Sequence, residues 1–236
     1  MCAVVVGCFV LRAPLGSSCG SPLSFRLIRF CRIKGLISGV TDTLIFASFI
    51  EKLMTKVLMV IGDGVEAQEL FYPYWRLKEE GIEVHVAMPT KKTAMTVVHD
   101  FEPGWETYTE KPGYRFNWVD LEFKEVKPEE YDGLIIPGGR APEYIRTNPE
   151  LERIVKHFFE ANKPVAAICH GPLVITGFGL ASGRKMTCYS AVSPDVIRAG
   201  AEYIDQEVVV DGNLVTSRAW PDLPAFMREF LKLLKG

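Results

Sequence analysis

Val165-Ala166-Ala167-Ile168-Cys169-His170-Gly171-Pro172 is the stretch that decides how this chain is read. Val165 to Ile168 is a short apolar run with the length and composition of a strand buried on both faces. It ends abruptly in Cys-His. Gly171 offers a permissive backbone at the corner, and Pro172 suits the first turn of a new helix. A cysteine on such a corner sits at the carboxyl edge of a sheet, beside a helix N-terminus. The positive end of that dipole favours thiolate, the nucleophilic form of sulfur. The geometry parallels the nucleophile elbow of hydrolases, with sulfur in place of a hydroxyl. A lone cysteine would be read as one more small buried apolar side chain. The adjoining His170 and the Gly-Pro break shift the reading to a reactive thiol.

Outward from this corner, the pattern alternates strand and helix. Val57 to Ile61 is a buried strand, Gly62-Asp63-Gly64 a turn, and Glu66 to Glu80 a helix with Leu70, Tyr74 and Leu77 at helical spacing. Strands follow at Glu83 to Met88 and Leu134 to Ile136, then a helix from Pro149 to Ala161. Beyond Cys169 come a short helix from Pro194 to Ala199, strands at Glu207 to Val210 and Leu214 to Ser217, and a helix from Pro221 to Leu234. Repeated β–α units predict an α/β fold: a doubly wound, mostly parallel sheet with helices on both faces. Ligands bind such sheets beyond the carboxyl ends of the strands. Loops 62–69, 137–143 and 169–172 lie at that edge. Between Thr90 and Asp120 the alternation fails, yet Trp105, Tyr108, Tyr114, Phe116 and Trp118 argue against simple disorder. We read residues 90–120 as an ordered insertion that packs on the body or on a neighbouring subunit.

Composition bounds the function. The 236 residues, 48% hydrophobic and 24% charged, suit one globular domain with a sizeable core. A net charge of −2 leaves no basic footprint for nucleic acid. The charge is uneven: residues 1–53 hold six bases (Arg12, Arg26, Arg29, Arg32, Lys34, Lys52) against two acids (Asp42, Glu51). Four of the six cysteines, Cys2, Cys8, Cys19 and Cys31, also lie there, leaving Cys169 and Cys188 in the body. No CxxC pair or zinc-like His spacing appears, so neither a metal nor a disulfide framework is expected, and a reducing, cytoplasmic setting fits.

The extension supports several readings. Ala3 to Leu11 is too short to span a bilayer and has no basic region before it. Arg12 to Lys34 carries Arg and Ser without acids, as an organellar transit peptide does. Leu36 to Leu53 is broken by Gly39, Asp42 and Glu51, so no membrane association is expected. Met54-Thr55-Lys56, just before an apolar strand, has the look of a natural beginning, which favours a start assigned too early over a targeting role. Residues 1–53 are therefore set apart from a functional domain at 54–236; a genuine transit segment would make the setting organellar.

Three further features bear on chemistry. Glu69 lies in the turn-helix segment after the first strand, with Glu66 one turn earlier. Either could meet Cys169 at the sheet edge, where an apolar pocket raises a carboxyl pKa; both also read as solvated helix acids. Pro137-Gly138-Gly139-Arg140-Ala141-Pro142-Glu143 follows a buried strand, and its consecutive glycines leave backbone N–H groups unshielded for an oxyanion hole or merely form a tight loop. The chain has neither a GxGxxG fingerprint nor a Walker lysine motif, so no nucleotide cofactor is indicated. His85, His99 and His157 are assigned no role, although His99 lies in the insertion, within reach of a ligand.

These stretches, with Val209-Val210-Asp211-Gly212-Asn213 and the C-terminal helix, resemble the ThiJ/PfpI family of the class I glutamine amidotransferase-like superfamily, from about Lys56 to the end. The insertion from Val97-Val98-His99-Asp100-Phe101 onward is more similar to the plant tandem-domain glyoxalase III branch than to the shorter PfpI proteins. The resemblance implies a flavodoxin-like sandwich assembled as dimers or hexamers. It implies Cys169 as nucleophile, Glu69 as the protonated carboxyl beside it, His170 assisting, and Glu143 orienting His170 from an adjoining subunit. Amides around Gly138, Gly139 and His170 would hold the oxyanion. Tyr189 and Trp220 would line the pocket, with core packing as the alternative for each.

The implied activity is a cofactor-free glyoxalase III or deglycase acting on methylglyoxal-type carbonyls or glycated proteins and peptides. Alternatives are a PfpI-like cysteine peptidase or amidase, and a redox-sensing stress chaperone whose cysteine oxidises reversibly. A glutamine amidotransferase is disfavoured because no histidine follows His170.

Overall fold

The computed structural model describes residues 55–236; the extension at 1–53 lies outside the described residues. In chain order the elements are β1 (Lys56–Val60), β2 (Val65–Glu66), α1 (Ala67–Glu79), β3 (Glu83–Met88), β4 (Ala94–Asp100), β5 (Thr109–Phe116), β6 (Leu121–Glu122) and β7 (Gly133–Ile136). There follow α2 (Ala141–Ile145), α3 (Pro149–Glu160), β8 (Val165–Ile168), α4 (Pro172–Gly177), β9 (Lys185–Met186), α5 (Ser193–Arg198), β10 (Glu202–Tyr203), β11 (Val208–Asp211), β12 (Leu214–Ser217) and α6 (Leu223–Lys235).

Seven strands form one sheet in the order β11-β12-β8-β7-β1-β3-β6, parallel except for β11 against β12. Strand alternation separates two cores. Val57 and Met59 face one side, where Leu70 and Leu77 of α1 and Phe226 and Phe230 of α6 pack. Leu58 and Val60 face the other, against Leu151 and Ile154 of α3 and Val174 of α4. Both faces of the central strands are covered, which is why they read as continuous apolar runs. The order reverses at β1, whose neighbours are β3 on one side and β7 on the other. Such a switch point opens a crevice at the carboxyl edge.

The insertion is a β-hairpin, β4 against β5, and β4 also pairs in parallel with β2 (Val65↔Thr96, Glu66↔Val97). Sequence alone gave no strand there, because Pro103, Gly104, Pro112 and Gly113 interrupt the alternation. Pro112 and Gly113 nonetheless lie within β5. The hairpin therefore docks beside the turn that leads into α1, and Phe116, Tyr74 and Trp118 pack edge-on or stacked beneath it.

Candidate active site

Cys169 follows β8 directly and carries φ 61, one of two non-glycine residues with positive φ among those described. That left-handed backbone costs on the order of 1–2 kcal/mol, and it is the corner that turns the thiol out of the sheet. The permissive conformation expected at Gly171 is thus adopted by Cys169 itself. Gly171 is helical, at φ −50 and ψ −40. It must be glycine for a different reason: a Cβ there would collide with the Ile136 carbonyl oxygen of β7.

The three edge loops converge. The Glu66 amide donates to the Gly138 carbonyl (3.3 Å), and the Arg140 amide donates to the Gly64 carbonyl (2.8 Å). Glu69, wholly buried on the first turn of α1, accepts the Gly138 amide on Oε2 at 2.8 Å. Its Oε1 is buried without a conventional hydrogen-bond partner, and the Cys169 thiol lies against this carboxyl. Burial first, and the neighbouring Glu66 charge second, push the Glu69 carboxyl from the ordinary 4.5 to about 8.

Burial likewise pushes the Cys169 thiol well above its usual value, with the Glu69 carboxylate adding to the effect. This corrects the expectation that a helix dipole would favour thiolate. α4 has only six residues, and the desolvation of a 3%-exposed sulfur outweighs its dipole. The amides of Gly139 and His170 are the donors that face the sulfur and oppose the rise. Of the paired glycines, then, Gly139 offers its N–H to the Cys169 sulfur, while that of Gly138 is engaged by Glu69.

His170 places Nδ1 3.3 Å from Cys169 Sγ. Burial, then the charge of His99, depress its pKa to about 4, so the ring is neutral and can accept a proton. Tyr189 stacks on the imidazole at 5.4 Å, and Tyr108 of the insertion meets it edge-on at 6.4 Å. Trp220 is half-buried and stacks on Phe101 (5.6 Å) and His99 (6.5 Å), with no ring contact to His170 or Tyr189 among the described residues. Glu143 is exposed on α2, and among the described residues no hydrogen bond joins it to His170.

The sequence reads Tyr108 only as one aromatic of an ordered insertion, and it gives His99 no role beyond a contact that a ligand could make there. His99 is 5% exposed and sits between Glu66 and Glu110. Its signal was the alternation of exposed Met95 and buried Thr96, then of buried His99 and exposed Asp100. Among the described residues no group of His, Cys, Asp and Glu is arranged to hold a metal ion.

A strand-to-helix cysteine elbow at the switch point of a doubly wound sheet, with a buried proton-holding carboxyl beside it, defines a class of α/β proteins with a nucleophilic cysteine. The sequence model of the DJ-1/PfpI family matches residues 55–233, and the chain belongs to that family. It is 51% identical over 180 residues to a deglycase of Thermococcus kodakarensis, covering 76% of this chain and 99% of that one. It is 49% identical over 180 residues to the deglycase PfpI of Pyrococcus furiosus, with the same coverage of 76% and 99%. Among solved structures, a two-domain protein from Anabaena variabilis, with DJ-1/ThiJ/PfpI-like and ferritin-like domains, superimposes with a TM-score of 0.66. It is 35% identical, and the match covers 77% of this chain and 48% of that one.

Proposed function

We infer that the protein is a deglycase and glyoxalase-type enzyme that uses Cys169 on methylglyoxal-type carbonyls, free or as adducts on proteins and peptides. The observation that carries this reading is the buried Glu69 carboxyl, pushed to about 8, lying against the Cys169 thiol. Such a group exchanges a proton near neutral pH, as moving hydrogen between two carbons demands.

In this scheme the thiol adds to the aldehyde carbon while His170 Nδ1 takes the sulfur's proton. The developing oxyanion is held by the amides of Gly139 and His170 and is then protonated by His170, giving a hemithioacetal. Glu69, as carboxylate, removes the hydrogen from the former aldehyde carbon as a proton, giving an enediolate. The hydroxyl proton of that carbon passes to the neighbouring oxygen, and Glu69 returns its proton to the adjacent carbon, which yields a thioester of a 2-hydroxy acid. Water cleaves the thioester to the free acid and the thiol. No electrons leave the substrate overall, so no redox partner is required.

The same nucleophile could serve acyl transfer. That chemistry would use His170 as base with Glu143 of an adjoining copy as its orienter, but it gives no task to the buried, proton-holding Glu69 carboxyl. The carbonyl reading is therefore preferred. It includes self-association, with Glu143 of an adjoining copy reaching His170, and a reducing cytoplasmic setting suited to the free thiols Cys169 and Cys188. The test is proton NMR of purified protein with methylglyoxal and no glutathione. Lactate should accumulate with wild type and not with Cys169→Ala; equal rates in the two would overturn the reading.

A further inference from the structure

The His99 imidazole is clasped from both sides. Nδ1 lies 2.7 Å from Glu66 Oε2, and Nε2 lies 3.1 Å from Glu110 Oε2. Glu66 Oε2 also accepts the His99 backbone amide at 3.1 Å, while its Oε1 accepts the Gln68 amide at 3.4 Å. Glu110 Oε2 accepts Arg140 Nε at 2.7 Å. Each carboxylate is thus already acting as an acceptor, so both ring nitrogens must donate and His99 carries a proton on each. Burial alone would discharge the ring, but the bonds to Glu66 and Glu110 outweigh it and hold its pKa above the usual value.

The clasp joins three separate pieces of the site. Glu66 is the N-cap of α1, and its own amide donates to the Gly138 carbonyl, beside the thiol. Glu110 belongs to β5, and Arg140 follows the glycine pair. His99 is on β4, and its ring packs edge-on to Tyr108 at 4.6 Å. Tyr108 in turn contacts Tyr189 (5.7 Å) and His170 (6.4 Å). Neither nitrogen of His99 is free to touch substrate, so the residue acts through what it holds.

We propose that His99 is a positioning residue that clasps the β4–β5 hairpin to the loops around Cys169 and so holds Tyr108 against His170 and Tyr189, where it shields the thiol. The substrate-binding part of this inference rests on the deglycase reading; the shielding of the thiol does not. The experiment therefore follows two readouts in the full chain. The first is the rate of Cys169 alkylation by iodoacetamide, followed on the Cys169 peptide by mass spectrometry. The second is methylglyoxal turnover.

His99→Ala and Tyr108→Ala should each speed alkylation by about tenfold, and the double variant should be no faster than either, because the two residues act as one unit. His99→Ala should also raise KM about tenfold while kcat stays within about twofold, a split that general loosening of the fold does not produce. Should His99→Ala fail to fold, Glu110→Ala removes the outer half of the clasp and should speed alkylation about threefold. Wild-type alkylation in the folded His99→Ala or Glu110→Ala protein, or accelerations that multiply in the double variant, would overturn the proposal. Absence of turnover in wild type would count against the deglycase reading alone, since alkylation still decides the clasp.

Discussion

The Gly138 amide donates to Glu69 Oε2 at 2.8 Å, and this one bond decides which way the carboxyl faces. With Oε2 held by the loop after β7, Oε1 is left buried without a hydrogen-bond partner. A single amide donor does not compensate an ion removed from water, so the carboxyl keeps its proton at pH 7. The thiol is also protonated there. The resting site therefore holds two protons, and neutral His170 is the nearby group able to receive one when sulfur attacks.

Turnover should follow the ionisation of Glu69. In the proposed scheme its carboxylate is the base that moves the substrate hydrogen, and burial pushes its pKa to about 8. The kcat for methylglyoxal should rise up to about tenfold per pH unit below that value and level off above it. Glu69→Gln has no such base, so its residual rate should be at least about a hundredfold lower and lack this limb. A pH–rate profile of both proteins checks it; a wild-type profile flat from about pH 6 to 9 would contradict the assignment.

The same group makes stability depend on pH. In the unfolded chain Glu69 loses its proton near 4.5, whereas in the folded protein it keeps it until about 8. Between these values the unfolded state binds fewer protons, so Glu69's contribution to folding is fully present below 4.5 and is lost as pH rises to about 8. Glu69→Gln should match wild type near pH 4 and be more stable above about pH 8, by at most about 5 kcal/mol. Urea unfolding of the two proteins at both pH values tests it, and a gap that does not widen with pH would refute it.

How much of this could be read from sequence follows from which interactions are local. The Val165–Ile168 run and its Cys-His-Gly-Pro ending specify the elbow within eight residues, because strand burial and the corner are local properties. Glu69 was legible as a candidate only, since whether it meets sulfur or water depends on the register of β1 against β7 and β8. The thiol's protonation was misjudged because a dipole is written in the local sequence, whereas desolvation is the sum of every loop that closes over the atom. The hairpin was missed because its pairing partner β2 is two residues long and lies about thirty residues away in the chain. With it went His99 and Tyr108, whose roles exist only once the hairpin is docked.

Gly138 is where the site tolerates least. A Cβ there would stand 2.6 Å from Cys169 Cβ, 2.6 Å from Glu69 Oε2 and 2.8 Å from the His170 nitrogen. None of these is the far end of a flexible side chain in open space. Gly138→Ala should cost about 1–3 kcal/mol of stability by overpacking. In the proposed scheme it should also lower turnover by at least about a hundredfold, because Cys169, Glu69 and the His170 amide all act on the substrate there. Chemical denaturation and steady-state kinetics measure the two effects; a folded, fully active variant would show that the loop relaxes freely.

Glu143 supplies the test of assembly. It is exposed on α2, and His170 makes its one side-chain hydrogen bond to Cys169, through Nδ1, leaving Nε2 without a partner among the described residues. If Glu143 of an adjoining copy orients that nitrogen, each working site needs Cys169 from one subunit and Glu143 from another. Cys169→Ala and Glu143→Gln should then each be impaired alone and should complement when their subunits are mixed and reassembled. A site is whole when a Glu143→Gln subunit, which retains Cys169, sits beside a Cys169→Ala subunit, which retains Glu143. Random mixing in equal amounts makes that true of about a quarter of sites, so about a quarter of wild-type activity should return. Light scattering on the mixture should report a dimer or hexamer. Activity no higher than the mean of the two parents, in a mixture shown to have exchanged subunits, would place the function of Glu143 within its own chain or remove it from the site.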